Sequence, residues 1–392
     1  MKMLKNNLII PNYDGNGLIN LMASIENALG GKSRYSELNL LKSSELNSKN
    51  VILLILDGMG YEFFLKNLKK SVMNNYLRGK ITSVLSAGTS SAMTTILTGM
   101  SPQETGMVGW DVFLRELGTM SDAIPYLSKF SKESLSNYLD INKIYNFNPI
   151  TNRIKVKSYG ILPEEVSKSY YNKILAGKSK IIPYKSIRSM FRKILDKIKQ
   201  SGKKFILSYT YYPDKLLHVY GGGKIVLREM NKINKELEYF LKRIAKTDTT
   251  LIITADHGLR KAEIKFDYKN YPDLEDCLIM PICGEGGLGY CYVKRGKEKK
   301  FEKVIKTKFN KYCQIFKSED FADGGYFGKF KEHKEFRNRI GDYILTFKEN
   351  HANGSKLDCF EPSSKLGFHG GMTREEMLVP LIVINSKELR LK

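Results

Sequence analysis

The chain has 392 residues, which leaves room for one large α/β domain with insertions or for two joined domains, so core size is not limiting. Hydrophobic residues make up 42% and charged residues 27%, an ordinary globular composition that excludes a wholly disordered or fibrous chain. Lysine and arginine (64) exceed aspartate and glutamate (41), giving a net charge of +23 that attracts polyanions, yet the basic residues are scattered, which favours a solvated lysine-rich surface over a dedicated nucleic-acid groove.

The opening residues, interrupted by Pro11 and Asp14, lack the continuous apolar segment of a secretion signal. Leu18, Leu21, Met22, Ile25 and Leu29 recur at helical spacing and predict a helix within 15–46, followed by a polar link. Val51–Leu56 is an unbroken apolar run ending at Asp57-Gly58-Met59-Gly60, the pattern of a strand buried on both faces of a parallel sheet. Met93, Ile96, Leu97 and Met100 then predict a helix whose first turn carries Thr89.

Further apolar runs at Phe205–Tyr211, Thr249–Thr254 and Met377–Ile384, with an amphipathic stretch over Ile225–Ile244, give the fold class. It is α/β, a mostly parallel sheet with helices on both faces. Two tracts break the rhythm, 112–200 and 259–360, and are expected as insertions in a single domain spanning 1–392, the second as a cap. The longest apolar runs are far short of the roughly 20 residues that cross a bilayer. Cys277, Cys283, Cys291, Cys313 and Cys359 form no CxxC pair. An odd number in a chain this long does not suggest a disulfide framework, so the expectation is a cytoplasmic protein with no membrane attachment.

Chemistry-bearing residues gather where strands end. Asp214 and His218 are four apart and share one face if the segment is helical, so both could hold one cation; a surface pair is the plainer alternative. Asp256-His257-Gly258 follows an all-apolar strand, which is a stronger signal, although a capping aspartate beside a satisfied histidine competes with it. His369 lies among Gly367, Gly370 and Gly371, suited to close backbone approach to a ligand or to a simple turn. Thr89 at a helix start faces free N–H groups and the positive end of the dipole, which favour an alkoxide and a phosphate; its plainer use is as an N-cap.

Taken in order, Asp57, Thr89 within Gly88-Thr-Ser-Ser-Ala-Met-Thr-Thr-Ile-Leu-Thr-Gly-Met-Ser-Pro-Gln-Glu-Thr-Gly106, Asp214 to His218, Thr254-Ala-Asp-His-Gly258 and His369-Gly-Gly371 resemble the alkaline phosphatase superfamily. Within it they resemble the type I phosphodiesterase/nucleotide pyrophosphatase family, over roughly 50–260 and 365–385. The resemblance implies an alkaline-phosphatase-like core and two divalent metal ions, usually Zn2+, with Mn2+ as the alternative. By position, Asp214, His218 and His369 would hold one ion, and Asp57, Thr89, Asp256 and His257 the other. Three carboxylates and three imidazoles are suitable donors for zinc.

One departure stands out. Where the family commonly places an asparagine on a phosphate oxygen, this chain has Trp110, its only tryptophan, a candidate substrate contact or else a packing aromatic. The resulting expectation is a metal-dependent hydrolase of phosphodiester or pyrophosphate bonds acting through a phosphothreonine at Thr89 on a small phosphate ester such as a nucleotide. The alternatives are a phosphomonoesterase or phosphonate hydrolase with the same site, and a basic nucleic-acid-binding protein whose metal site is structural or vestigial.

Overall fold

The computed structural model describes residues 8–262, 264–265, 270–353 and 365–389. Cys359 and the end of the 259–360 tract lie outside the described residues. At the centre is a seven-stranded sheet in the spatial order Leu77–Thr82, Leu378–Asn385, Thr249–Thr254, Asn50–Leu56, Lys204–Thr210, Lys157–Pro163, Lys180–Tyr184. Every residue of Asn50–Leu56 is buried, because parallel neighbours flank it on both edges and helices cover the sheet faces. Its leucines and isoleucines supply apolar surface to both sides, which is why the run shows no polar alternation.

The predicted helices form at Leu18–Ala28, Thr89–Thr98 and Lys224–Ile244. Met230, Ile233, Leu237, Phe240 and Ile244 make up the buried stripe of the last, at the three- and four-residue spacing that gives one apolar face. Among the described residues no helix is long and apolar enough to cross a membrane.

Two features depart from the expectation. The strand Leu378–Asn385 runs antiparallel to both of its neighbours. Its amino end therefore lies at the same sheet edge as the carboxyl ends of the parallel strands, which is how His369, lying before the strand, reaches the same edge as Asp57 and Asp256, lying after theirs. The tract 112–200 is also not one insertion. Its second half supplies Lys157–Pro163 and Lys180–Tyr184 to the central sheet. Its first half joins a second, antiparallel sheet in which Asp111–Leu114, Thr119–Asp122 and Leu127–Ser128 combine with Cys283–Gly284, Leu288–Cys291, Cys313–Lys317 and Tyr343–Phe347. The short, half-polar strands of 157–184 hid this role, since Pro183, Lys180 and Gly160 break up the apolar run that marks a buried strand.

Gly258 fixes the exit of the strand Thr249–Thr254. A Cβ there would sit 2.0 Å from the Glu375 carbonyl oxygen and 2.6 Å from the Gly60 Cα, so two backbone segments close over it. Its N–H donates to the Glu376 carbonyl at 2.8 Å. Gly258→Ala is expected to cost about 2 kcal/mol of stability, as overpacking of a tight backbone contact does. Urea denaturation checks it, and an unchanged midpoint would mean that the contact relaxes freely.

Candidate active site

Asp57 follows the strand Asn50–Leu56, Asp214 opens the helix Asp214–Tyr220 after Lys204–Thr210, and Asp256-His257 follow Thr249–Thr254. The helical turn from Asp214 to His218 brings His218 Nε2 to 3.4 Å from Asp214 Oδ1. His369 Nε2 lies 4.0 Å from the same oxygen. His257 Nε2 lies 3.4 Å from Asp57 Oδ1 and 3.6 Å from Asp256 Oδ2. The structure thus brings all six carboxylate and imidazole candidates together at one edge of the sheet, in two half-sites.

The half-sites adjoin through His257. One ligand atom from each of Asp57, Asp256 and His257 falls within 4.8 Å of the others, and the same is true of Asp214, His257 and His369.

Asp57 and Asp256 are each held by one oxygen and present the other. Asp57 Oδ2 accepts the Tyr209 hydroxyl, and Asp256 Oδ1 accepts the N–H groups of Gly58 and His257 at 3.2 and 3.0 Å. Asp57 Oδ1, Asp256 Oδ2 and Asp214 Oδ1 are buried and have no hydrogen-bond donor. The imidazoles show the same division. His257 and His218 direct Nδ1 at the carbonyls of Gly258 and Gly367, at 3.1 and 2.8 Å, which assigns the proton to Nδ1 and leaves Nε2 as a lone-pair donor facing the carboxylates. A set of donorless buried oxygens and inward-facing Nε2 atoms fits divalent cations and fits little else.

The electrostatics agree. Burial, followed by repulsion from Asp256 and Asp214, raises the Asp57 carboxyl well above its usual range. Burial lowers His369 and His218, His369 also through the neighbouring His257 and His218 rings. For His257 burial is outweighed by Asp256 and Asp214, and its pKa is raised. Without a cation the carboxylates destabilise one another.

Thr89 is the first residue of its helix, with Gly88 as the cap. Its hydroxyl makes no capping bond and instead lies 3.1 Å from His257 Nε2. Trp110, half-buried, borders a polar cavity of about 300 Å3 that also includes Thr89, Asp214, His218 and His369.

Sequence reasoning missed Glu285. It is buried, lies 2.8 Å from His369 Nδ1 and accepts the Ser86 hydroxyl at 3.1 Å. Its carboxylate is pressed so closely against Gly88 that a Cβ there would fall 2.1 Å from Oε2. Pairing of Gly284 with Asp111 across the second sheet carries it to the site. Burial pushes its pKa up to about 7. The signal was present in Gly284-Glu285-Gly286-Gly287, a lone carboxylate among glycines, the same arrangement that marked His369.

A carboxylate behind a ligating histidine orients the ring and raises its basicity. Glu285→Gln is therefore expected to weaken metal binding about 10- to 100-fold. Competition with a chromogenic chelator measures it, and unchanged affinity would assign Glu285 to packing.

Comparison with known proteins gives a family model described as type I phosphodiesterase/nucleotide pyrophosphatase, matching residues 51–371. Among solved structures, murine ectonucleotide pyrophosphatase/phosphodiesterase 5 is similar at a TM-score of 0.62 and 16% identity, over 84% of this chain and 87% of that one. The human protein of the same name matches at 0.61 and 17%, over 85% and 87%. Phosphonoacetate hydrolase from Sinorhizobium meliloti 1021 matches at 0.62 and 15%, over 85% and 89%. No curated protein matches the sequence.

Proposed function

Because the chain belongs to the type I phosphodiesterase/nucleotide pyrophosphatase family and is a metal-dependent hydrolase of that kind, we propose that it cleaves phosphodiester or pyrophosphate bonds through a phosphothreonine at Thr89. The observation that carries this reading is the convergence of three donorless carboxylate oxygens with the Nε2 atoms of His218 and His257 beside a helix-start hydroxyl that caps nothing. Asp214, His218 and His369 would hold one cation, and Asp57, Asp256, His257 and Thr89 the other. Two such ions, zinc on this reading and manganese as the alternative, would acidify the Thr89 hydroxyl and offset charge on the phosphoryl oxygens.

Thr89 Oγ1 bonds to phosphorus while the bond to the leaving oxygen breaks on the opposite side, and water later cleaves the phosphothreonine. The first N–H groups of the helix lack partners within it and suit a phosphoryl oxygen. Glu285 stands 2.8 Å behind His369 Nδ1, and Tyr209 holds Asp57, so that both sit behind a ligand side chain.

Two lysines, Lys129 and Lys365, border the polar cavity. Lys129, on the rim of the polar cavity, bonds Asp111 and Asp122 at 2.8 and 3.1 Å, so its charge is largely spent on aspartates rather than on a second substrate anion. The setting proposed is cytoplasmic; the described cysteines Cys277, Cys283, Cys291 and Cys313 are free and buried.

Thr89→Ala is expected to lower kcat by roughly three orders of magnitude or more with the fold intact, while Thr89→Ser keeps substantial activity. Steady-state rates with a circular dichroism control decide it, and near-wild-type turnover in the alanine variant removes Thr89 from the chemistry. A nucleotide p-nitrophenyl ester should exceed p-nitrophenyl phosphate in kcat/KM. Preference for the monoester would move the protein to the phosphatase alternative, and cleavage of a phosphonate alone to the phosphonate hydrolase alternative.

A further inference from the structure

The net charge of +23 plays no part in the site described above, yet folding gathers some of it beside that site. Past His218 the helix Asp214–Tyr220 ends at Gly221, and Gly222 and Gly223 lead into the helix Lys224–Ile244. A Cβ added at Gly222 or at Gly223 would meet nothing within 4 Å among the described residues, so the turn stands clear of them.

Apolar side chains flank this turn. Val219, Tyr220, Ile225 and Leu366 are between 39% and 53% exposed. Leu366 joins the other three from a separate segment: its N–H donates to the His218 carbonyl at 2.7 Å, and a Cβ on Gly221 would lie 3.2 Å from the Leu366 Cβ. The inward residues of the same two helices, Leu217 and Val226, already pack with Leu259, so the outward ones are surplus to the core. Their apolar surface remains in water, where burial would be favourable.

Basic residues ring the cluster. Lys215, Lys224, Arg228, Lys261 and Lys365 are exposed, and the segments 215–228, 259–262 and 365–368 contain no aspartate or glutamate. Lys261 Cγ would lie 3.4 Å from a Cβ on Gly221, which places it at the turn itself. The charge continues along the next helix, where Lys224, Arg228, Lys232 and Lys235 line one shallow groove. Of these four only Lys232 pairs with a carboxylate among the described residues, Glu229 at 2.8 Å.

This combination of chemistry selects a partner. A second copy of the chain, docked by the same patch, would set lysines against lysines. A nucleic acid would engage the lysines through its phosphates and leave Val219, Ile225 and Leu366 in water. An anionic lipid surface satisfies both sets of side chains: its headgroups attract the lysines, and the acyl boundary beneath takes the aliphatic groups with a tyrosine at the interface.

We propose that this turn docks on an anionic phospholipid membrane, with Val219, Tyr220, Ile225 and Leu366 entering the interface and the surrounding lysines meeting the headgroups. Binding of this kind is peripheral and needs no spanning helix. It holds the polar cavity beside the membrane, because His218 and Lys365 line that cavity and adjoin the cluster. Thr89 takes no part in it.

Cosedimentation of the full chain with sucrose-loaded vesicles tests this, comparing phosphatidylcholine alone with phosphatidylcholine containing about one-third phosphatidylserine. The anionic vesicles should bind at least about tenfold more tightly, and the advantage should shrink as salt is raised. Ile225→Ser and Lys224→Glu should each weaken binding about fivefold or more, with circular dichroism unchanged, and Ile225→Leu should retain it. Two matched substitutions elsewhere separate the patch from net charge and general stickiness. These are Ile279→Ser, at an exposed position beside the second sheet, and Lys178→Glu, before the amino end of the strand Lys180–Tyr184 and so at the far edge of the central sheet. Both should stay within about twofold of wild type. Binding to neither vesicle, or equal losses in the patch and matched variants, overturns the proposal. An oligonucleotide held more tightly than the vesicles, weakened by Lys224→Glu and untouched by Ile225→Ser, also overturns it and makes the partner a nucleic acid.

Discussion

Three carboxylates, Asp57, Asp214 and Asp256, converge within a few ångströms at the edge of a buried sheet, Asp57 and Asp256 almost completely removed from water. Like charges at low dielectric repel one another strongly, and an aspartate that loses water without gaining a partner destabilises the fold. Two of the groups are half partnered: Tyr209 and backbone N–H groups hold one oxygen of Asp57 and Asp256, while the other oxygen, like Asp214 Oδ1, is buried without a donor. Much of the surrounding architecture serves that arrangement. The reversed C-terminal strand brings His369 to the right edge, the glycines at 88 and 258 let backbone and carboxylate close in, and the second sheet delivers Glu285 behind His369.

Thr89 and Trp110 border two cavities, the polar one and a largely apolar one between the helix Thr89–Thr98 and the strands Lys157–Pro163 and Lys204–Thr210, and their division follows from where the elements end. Strand termini supply the polar residues, so the metal-ligand side is carboxylate and imidazole. The face of the sheet one layer below supplies the apolar residues, and a glycine in the strand Lys157–Pro163 leaves them a void in place of a packed core. Thr89 stands at the boundary because it is the first residue of a helix that begins at the strand ends and then runs across that face. Trp110 stands there because it leads into the strand that pairs with the segment bearing Glu285.

What could be read from the sequence was what is local. An unbroken apolar run followed by Asp57, or by Asp256 and His257, announces a buried strand and its functional end together, and the four-residue step from Asp214 to His218 needs only one helical turn. The seven expected site residues therefore meet. Glu285 was hidden because nothing near it in the chain refers to His369; their encounter depends on strand pairing between Gly284 and Asp111 and on backbone bonds joining Ala87 to Gly370. The direction of the last strand, the core role of 157–184 and the apolar cavity were hidden for related reasons. Direction and pairing are long-range properties, and a cavity is an absence of volume that no residue type advertises.

The central claim is that the converging donors exist to bind cations. Elemental analysis of the full chain, dialysed against zinc and then freed of loosely bound metal, measures this most directly. The account predicts two ions per chain, with at least one lost in His257→Ala, whose imidazole lies between the half-sites. A chain that retains no stoichiometric metal, or a His257→Ala variant that keeps both ions, would contradict it.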